Sequence, residues 1–268
     1  MRLGPRFVTQ LAFTVLVCAF MVVPVVLSVL AGLSENFFVG IRSGLTLRWV
    51  VQVWSLYRES IFLSLGIALA CVAATLVLGV PIAYVLARRP GRATRLFEEL
   101  LVLPVAVPGL ATALALILFY GEWRGFRASW LFILVGHVLF TLPFMVRSVL
   151  AVMGAMDLVT LEEAAASLGA GFAGRFFGVI VPNARYGILA GALMVVTLSV
   201  GEFNITWMLH TPLTKTIPVG LADAYASLRL EVGSAYTIVF FVMIVPLLVA
   251  MQWLSRERTP ATARRNGR

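Results

Sequence analysis

The chain reads as an all-α protein that crosses a membrane several times, with six transmembrane helices and one helical segment outside the bilayer. Three observations predict it. The 268 residues are 61% hydrophobic and only 12% charged, roughly half the charge of an ordinary soluble domain, and the mean hydropathy is +0.99. Uncharged runs recur along the chain, most of them long enough to supply the ~20 apolar residues that cross ~30 Å of hydrocarbon. The basic residues are shared unevenly between the connecting segments, as membrane topology requires.

The spans are predicted at about 7–33, 60–87, 100–121, 128–150, 186–209 and 232–255, within a single domain covering 1–268. The first run exceeds the core of about 7–15 apolar residues of a cleaved signal, so it reads as a span. The fifth run, Tyr186–Gly201, is short and reaches full length only by continuing through Glu202 to about Leu209. With the N-terminus inside, 14 of the 21 basic residues fall on the inner side and 7 on the outer. The inner set includes Arg2, the tight cluster Arg88, Arg89, Arg92 and Arg95, and Arg256, Arg258, Arg264, Arg265 and Arg268. Both termini are therefore expected on the cytoplasmic side. The net charge of +9 reads as topology and not as nucleic-acid binding, because no basic stripe interleaves with aromatics in a soluble segment. Cys18 and Cys71 sit inside apolar runs, offer neither a disulfide framework nor metal-ligand spacing, and are expected to be buried.

Within the spans, Pro81, Pro104, Pro108, Pro143 and Pro246 interrupt the helical pattern. Proline removes a hydrogen bond and crowds the preceding turn, which a membrane tolerates beside neighbouring helices or a water-filled path. Leu103–Gly109, with two prolines, is the densest case and predicts a bent helix. Ionisable residues inside the spans are Glu202, His137 and His210. A carboxylate at mid-membrane costs ~2.5–3.5 kcal/mol on insertion scales and so faces a cavity or a partner. Glu202, with Asn204 and Thr206 following, either lines a path or holds one helix against another. The two histidines read as packed or interfacial.

The segment from about 156 to 185 differs from the rest. Thr160 with Glu163 three residues on has the form of a capping box. Leu161, Ala164, Ala165 and Leu168 recur at helical spacing. Gly169 supplies a stop through positive φ, and a second helix runs to about Val181, closed by Pro182. The small side chains of Ala164–Ala166 leave a shallow face, suited either to docking in a partner's groove or to a plain connector; Glu163 either caps the helix or belongs to that face.

Glu163-Ala164-Ala165-x-x-x-Gly169, with Ile180-Val181-Pro182 closing the segment, resembles the EAA signature of permease subunits of bacterial binding-protein-dependent ABC importers. Val179 and Val181 stand where the family pattern has isoleucine and leucine. Ser64-Leu65, Ala83-Tyr84, Pro104–Gly109 and Gly201-Glu202-Phe203 are similar to the polyamine, thiamine, iron, sulfate and molybdate branch, so the resemblance covers about 60–255. It implies that Glu163, Ala164, Ala165, Gly169 and Pro182 form a cytoplasmic coupling helix docked on a dimer of ATP-binding subunits. ATP and Mg would be bound there and not in this chain. It further implies a second permease, preferably a different one, and a periplasmic or lipid-anchored substrate-binding protein, all in membrane lipid and without nucleic acid. No phosphate loop, catalytic triad or metal motif is present, so no catalytic residue and no metal site is expected, and the subunit reads as non-enzymatic. Glu202, Asn204 and Trp207 are the expected substrate path. A carboxylate and an indole suit a cation, so a spermidine- or putrescine-like polyamine is the expected substrate. The alternatives are an aminophosphonate, thiamine, iron or an oxyanion, or, outside the family, a stand-alone channel or secondary transporter.

Overall fold

The computed structural model describes residues 5–255. Arg2 and the basic residues from Arg256 onward lie outside the described residues. Apart from one isolated backbone bridge between Ser34 and Leu45, the described chain has no strand pairing. The helices are α1 (Pro5–Gly32), α2 (Arg48–Arg88), α3 (Arg92–Ala106), α4 (Gly109–Tyr120), α5 (Trp130–Met153), α6 (Leu158–Ser167), α7 (Phe172–Asn183), α8 (Arg185–Val200), α9 (Asn204–Leu209), α10 (Ile217–Ala226) and α11 (Leu230–Ser255). A short helical turn at Arg124–Arg127 precedes α5. By length and composition four of the described helices can cross a membrane, or six if each of two bent pairs counts as one span.

Those bent pairs are where the structure departs from the run-by-run expectation. The run 100–121 is not one straight helix. It belongs to α3 and α4, which meet at 97° across Val107-Pro108. Pro108 drives Val107 into an extended conformation, φ −81° and ψ 134°, which ends α3. The run 186–209 is also broken: α8 stops at Val200, Gly201–Phe203 leave the helix, and α9 restarts at Asn204. The apolar length that passes as a span comes instead from α7 joined to α8 with a 70° bend at Ala184. Pro24, Pro81, Pro143 and Pro246 are carried inside helices without ending them.

The chain divides into two compact units. The first takes the chain up to Phe62 together with Lys215–Met243. Its core joins Val53, Ile61, Ile217, Val232 and Tyr236. Gly32 at the end of α1 lies so close to α11 that a Cβ there would meet the Ser234 carbonyl carbon at 2.7 Å. The apolar stretch of α1 buries nothing inside the chain, and Cys18, expected to be buried, is exposed on it; lipid or a partner subunit is the solvent such a surface needs.

The second unit takes Leu63–Thr214 and the chain from Ile244. Its central pair is α5 and α8. Gly187 and Gly191, one turn apart on α8, remove the side chains that would separate the helices: a Cβ at Gly187 would lie 2.8 Å from the Ser148 carbonyl oxygen, and one at Gly191 2.8 Å from Met145 Sδ. The Ser148 hydroxyl donates to the Gly187 carbonyl at 3.0 Å. This is small-residue packing of the kind that brings helices together where lipid removes the hydrophobic drive. Cys71, buried as expected, meets the Thr141 hydroxyl at 3.2 Å.

Candidate functional site

Two parts of the second unit carry the candidate residues. The first is α6 with α7. The capping box expected from Thr160 and Glu163 does not form. The helix starts three residues earlier, because Asp157 is the stronger cap: its carboxylate accepts the Thr160 hydroxyl at 2.7 Å and the Thr160 backbone N–H at 3.3 Å. These two hydrogen bonds hold the Asp157 carboxyl below the usual carboxylate range. Glu163 is thereby released from any capping role and stands exposed.

Gly169 ends α6 at φ +83°. Its N–H donates to the Ala166 carbonyl at 2.9 Å, and the Ala170 N–H to the Ala165 carbonyl at 3.0 Å, the paired closure of a helix ending in a left-handed residue. Nothing lies within 4 Å of where a Cβ would stand, so backbone conformation alone, not space, calls for glycine.

The apolar stripe of α6 is Leu158, Leu161, Glu162 and Ala165, of which Leu158, Glu162 and Ala165 are buried and Leu161 partly so. Ala164 and Leu168, expected on that stripe, face outward, Leu168 with 89% of its surface exposed. Glu163, Ala164, Ala166 and Gly169 share the outer side with it, and Phe172 and Pro182 are exposed on α7. Of the five expected docking residues, only Ala165 turns inward.

Sequence reasoning overlooked Glu162, whose position within an otherwise apolar stripe was the available signal. Only 4% of it is exposed. Its Oε1 accepts the Tyr84 hydroxyl, and its Oε2 pairs with Arg88 Nη2 at 3.0 Å. Phe172 and Phe176 of α7 set their ring edges against Tyr84, at 6.4 and 5.2 Å between centroids. Phe176–Ile180 forms a wide π-helical turn, and the Asn183 side chain donates to the Val179 carbonyl at 2.7 Å.

The second part is the break between α8 and α9. Glu202 is buried, with 9% of it exposed. Its Oε1 accepts the Ile205 N–H at 2.9 Å, and its Oε2 accepts the Thr206 N–H at 2.9 Å and the Thr206 hydroxyl at 3.0 Å. A carboxylate at a helix start satisfies orphan donors and matches the helix dipole. At the other end Arg127 donates to the Leu209 carbonyl at 2.7 Å and the Met208 carbonyl at 3.4 Å, with its guanidinium over the Phe132 ring. Beneath α9, His137 bridges the Ser199 and Thr206 hydroxyls, each at 2.8 Å. Gly136 makes the notch that receives the helix: a Cβ there would lie 2.6 Å from Ile205 Cγ2. Of the three residues expected to line a path, Asn204 and Trp207 share the exposed side of α9, and Glu202 turns inward. No short-range sequence signal pointed to Arg127, which reaches α9 from across the fold. Among the described residues, no three of His, Cys, Asp and Glu gather as metal ligands do.

A family model described as the binding-protein-dependent transport system inner membrane component matches residues 76–259, which include both parts of the site. The chain belongs to this family. The sulfate transport system permease protein CysW of Synechocystis is 31% identical over 217 residues, 75% of this chain and 78% of the relative. The molybdenum transport system permease protein ModB of Escherichia coli K12 is 30% identical over 216 residues, 74% and 93% of the two chains. The spermidine/putrescine transport system permease protein PotB of Escherichia coli K12 is 27% identical over 215 residues, 74% and 78%. A solved chain of a bacterial ABC transporter involved in the import of the acidic polysaccharide alginate superposes with a TM-score of 0.71 over 95% of this chain and 96% of that one; at 14% identity it speaks to the fold. As a binding-protein-dependent inner membrane component, the chain is a multi-pass permease subunit of an ABC importer. ATP hydrolysis resides in a separate subunit, and a substrate-binding protein belongs to the same system.

Proposed function

We propose that this permease passes a small oxyanion, of the sulfate or molybdate kind, and is driven through α6 by the ATP-binding subunits. The observation that carries the substrate class is the state of Glu202. Its carboxylate is spent on the N–H groups and hydroxyl of the next turn, so the negative charge that would recommend a polyamine is turned away from the exposed side of α9. That side offers the Asn204 amide and the Trp207 indole, uncharged groups with N–H donors suited to an anion. The relatives at 30% identity or above named here are sulfate and molybdenum permeases, and the spermidine/putrescine relative stands at 27%. The polyamine expectation therefore gives way to its oxyanion alternative.

For coupling, Glu163, Ala164, Gly169 and the exposed Leu168 form the surface that enters a groove on the ATP-binding subunit, with Pro182 at the far end of α7 and Ala165 anchoring the helix from below. This places α6 and both termini in the cytoplasm. Six spans are half a path, and a second permease, preferably a different one, completes it.

The test is uptake of radiolabelled sulfate, molybdate and spermidine by cells expressing the chain with its neighbouring transport genes. Uptake of an oxyanion, competed by the other oxyanion and not by spermidine, is the expected result; spermidine uptake alone overturns the substrate reading. Purification of the tagged chain in mild detergent should bring the ATP-binding subunit with it, and mass spectrometry of the same sample identifies the second permease. Recovery of the chain alone overturns the docking reading.

A further inference from the structure

We propose that Glu162, Tyr84 and Arg88 form a clasp that positions α6 against the end of α2 and passes movement of the docking helix into the membrane-spanning bundle. The inference rests on the coupling reading of α6. Its ground is how α6 is attached. On the N-terminal side the chain leaves α5 at Gly154 and reaches Asp157 through a non-helical link; on the C-terminal side it turns through Gly169-Ala170-Gly171. Links of this kind bend, so a push on α6 would be lost in them unless side chains tie the helix to something stiff.

The apolar contacts of Leu158, Leu161 and Ala165 resist separation but have no preferred direction and allow sliding. Glu162 supplies direction. Its two carboxylate oxygens are held by two residues one helical turn apart on α2, the Tyr84 hydroxyl on one and the Arg88 guanidinium, at 3.0 Å, on the other. Two attachment points on one helix oppose both translation and rotation of the carboxylate. The Glu162 side chain is nearly out of solvent, so a lost partner is poorly replaced by water. Glu162 and Glu163 thus divide the work of adjacent positions: the helix turns one inward to α2 and the other outward to the partner.

Glu162 is a positioning residue and touches no substrate, so its test separates coupling from assembly. The chain with its partner subunits is reconstituted in lipid vesicles as wild type, Glu162→Gln, Arg88→Met, Tyr84→Phe and the Glu162→Gln/Arg88→Met double variant. The readout is radiolabelled sulfate or molybdate moved per ATP hydrolysed. Glu162→Gln and Arg88→Met are expected to lower that ratio about tenfold, with the ATP-binding subunit still co-purifying and ATP still hydrolysed. The double variant is expected to be no worse than the poorer single one, because both remove the same link. An unchanged ratio in Glu162→Gln and Arg88→Met overturns the clasp, as does full additivity in the double variant.

A second measurement depends on neither substrate nor docking. Spin labels on the exposed Ser167 of α6 and the exposed Arg89 beyond α2 should give a narrow distance distribution in wild type and a broad one in Glu162→Gln. Equal widths overturn the clasp. Failure of the wild-type chain to bind an ATP-binding subunit would overturn the docking reading instead, and the spin-label result would still decide the clasp.

Discussion

Glu162 and Glu202 are both buried carboxylates, and each holds a short helix, but by opposite means. Glu202 is satisfied mainly by its own next turn: its oxygens accept backbone N–H groups three and four residues along and so build the start of α9, with His137 Nε2 3.8 Å from Oε2. Glu162 is neutralised by residues 74 and 78 positions away, Arg88 and Tyr84, and so ties α6 to another element. α9 is capped again at its far end by Arg127 and is seated in a notch at Gly136. α6 stands between two non-helical links with an exposed outer side. A carboxylate that closes locally makes a fixed wall. One that closes at long range makes a joint, and in a machine that must move, the two belong in different places.

The contrast can be broken at several points. The largest effect is expected at Glu202. Glu202→Leu leaves the Ile205 and Thr206 N–H groups without acceptors and should cost ~3 kcal/mol, read as a fall in the thermal unfolding temperature of the detergent-solubilised chain. Glu202→Gln keeps one acceptor oxygen and should cost less, ~1–2 kcal/mol. If Glu202→Leu leaves stability unchanged, α9 is not built on its carboxylate.

Gly169 comes next. Gly169→Val must adopt φ +83°, at about 1–2 kcal/mol, and should open the end of α6 and reduce uptake, whereas Gly169→Asn, which visits that region more readily, should retain most of it. Hydrogen exchange at the Gly169 and Ala170 amides measures the opening directly. Equal behaviour of the two variants would mean that the turn does not need its left-handed residue.

The smallest effect is expected at Asp157, which is fully solvent-facing. Asp157→Ala should speed exchange of the Thr160 amide and leave the rest of α6 unchanged. Because the Asp157 carboxyl is held below its ordinary range, the cap's contribution is fully present above that ordinary range and is lost as pH falls through the lowered value. Protection of Thr160 should therefore be flat near neutrality and decline in acid; protection that does not change in acid would mean that the carboxylate is not the cap.

Much of this was legible from local signals. Composition and run length determined an all-helical membrane protein, because a backbone in lipid must satisfy its own hydrogen bonds and apolar length is what crosses the bilayer. Gly169 as a stop was readable because positive φ is a property of one residue. The EAA spacing fell on α6, which belongs to none of the candidate spans among the described residues, with Glu163 and Ala164 on its outer side and Gly169 at its end.

What the tertiary structure alone decided is which way each charge faces and what meets it. Thr160 and Glu163 satisfied the form of a capping box, yet Asp157 two residues upstream of the helix's second position took the role, since caps compete and only the folded chain settles the register. Glu202 looked like a charge offered to a path, but the break at Gly201–Phe203 turned it onto the following turn. Arg127 and Arg88 found their partners through contacts 82 and 74 residues distant in sequence. A pattern of spacing records which residues share a face of one helix; it carries no information about the element packed against that face, and it is that neighbour which determines whether a buried carboxylate caps, couples or binds.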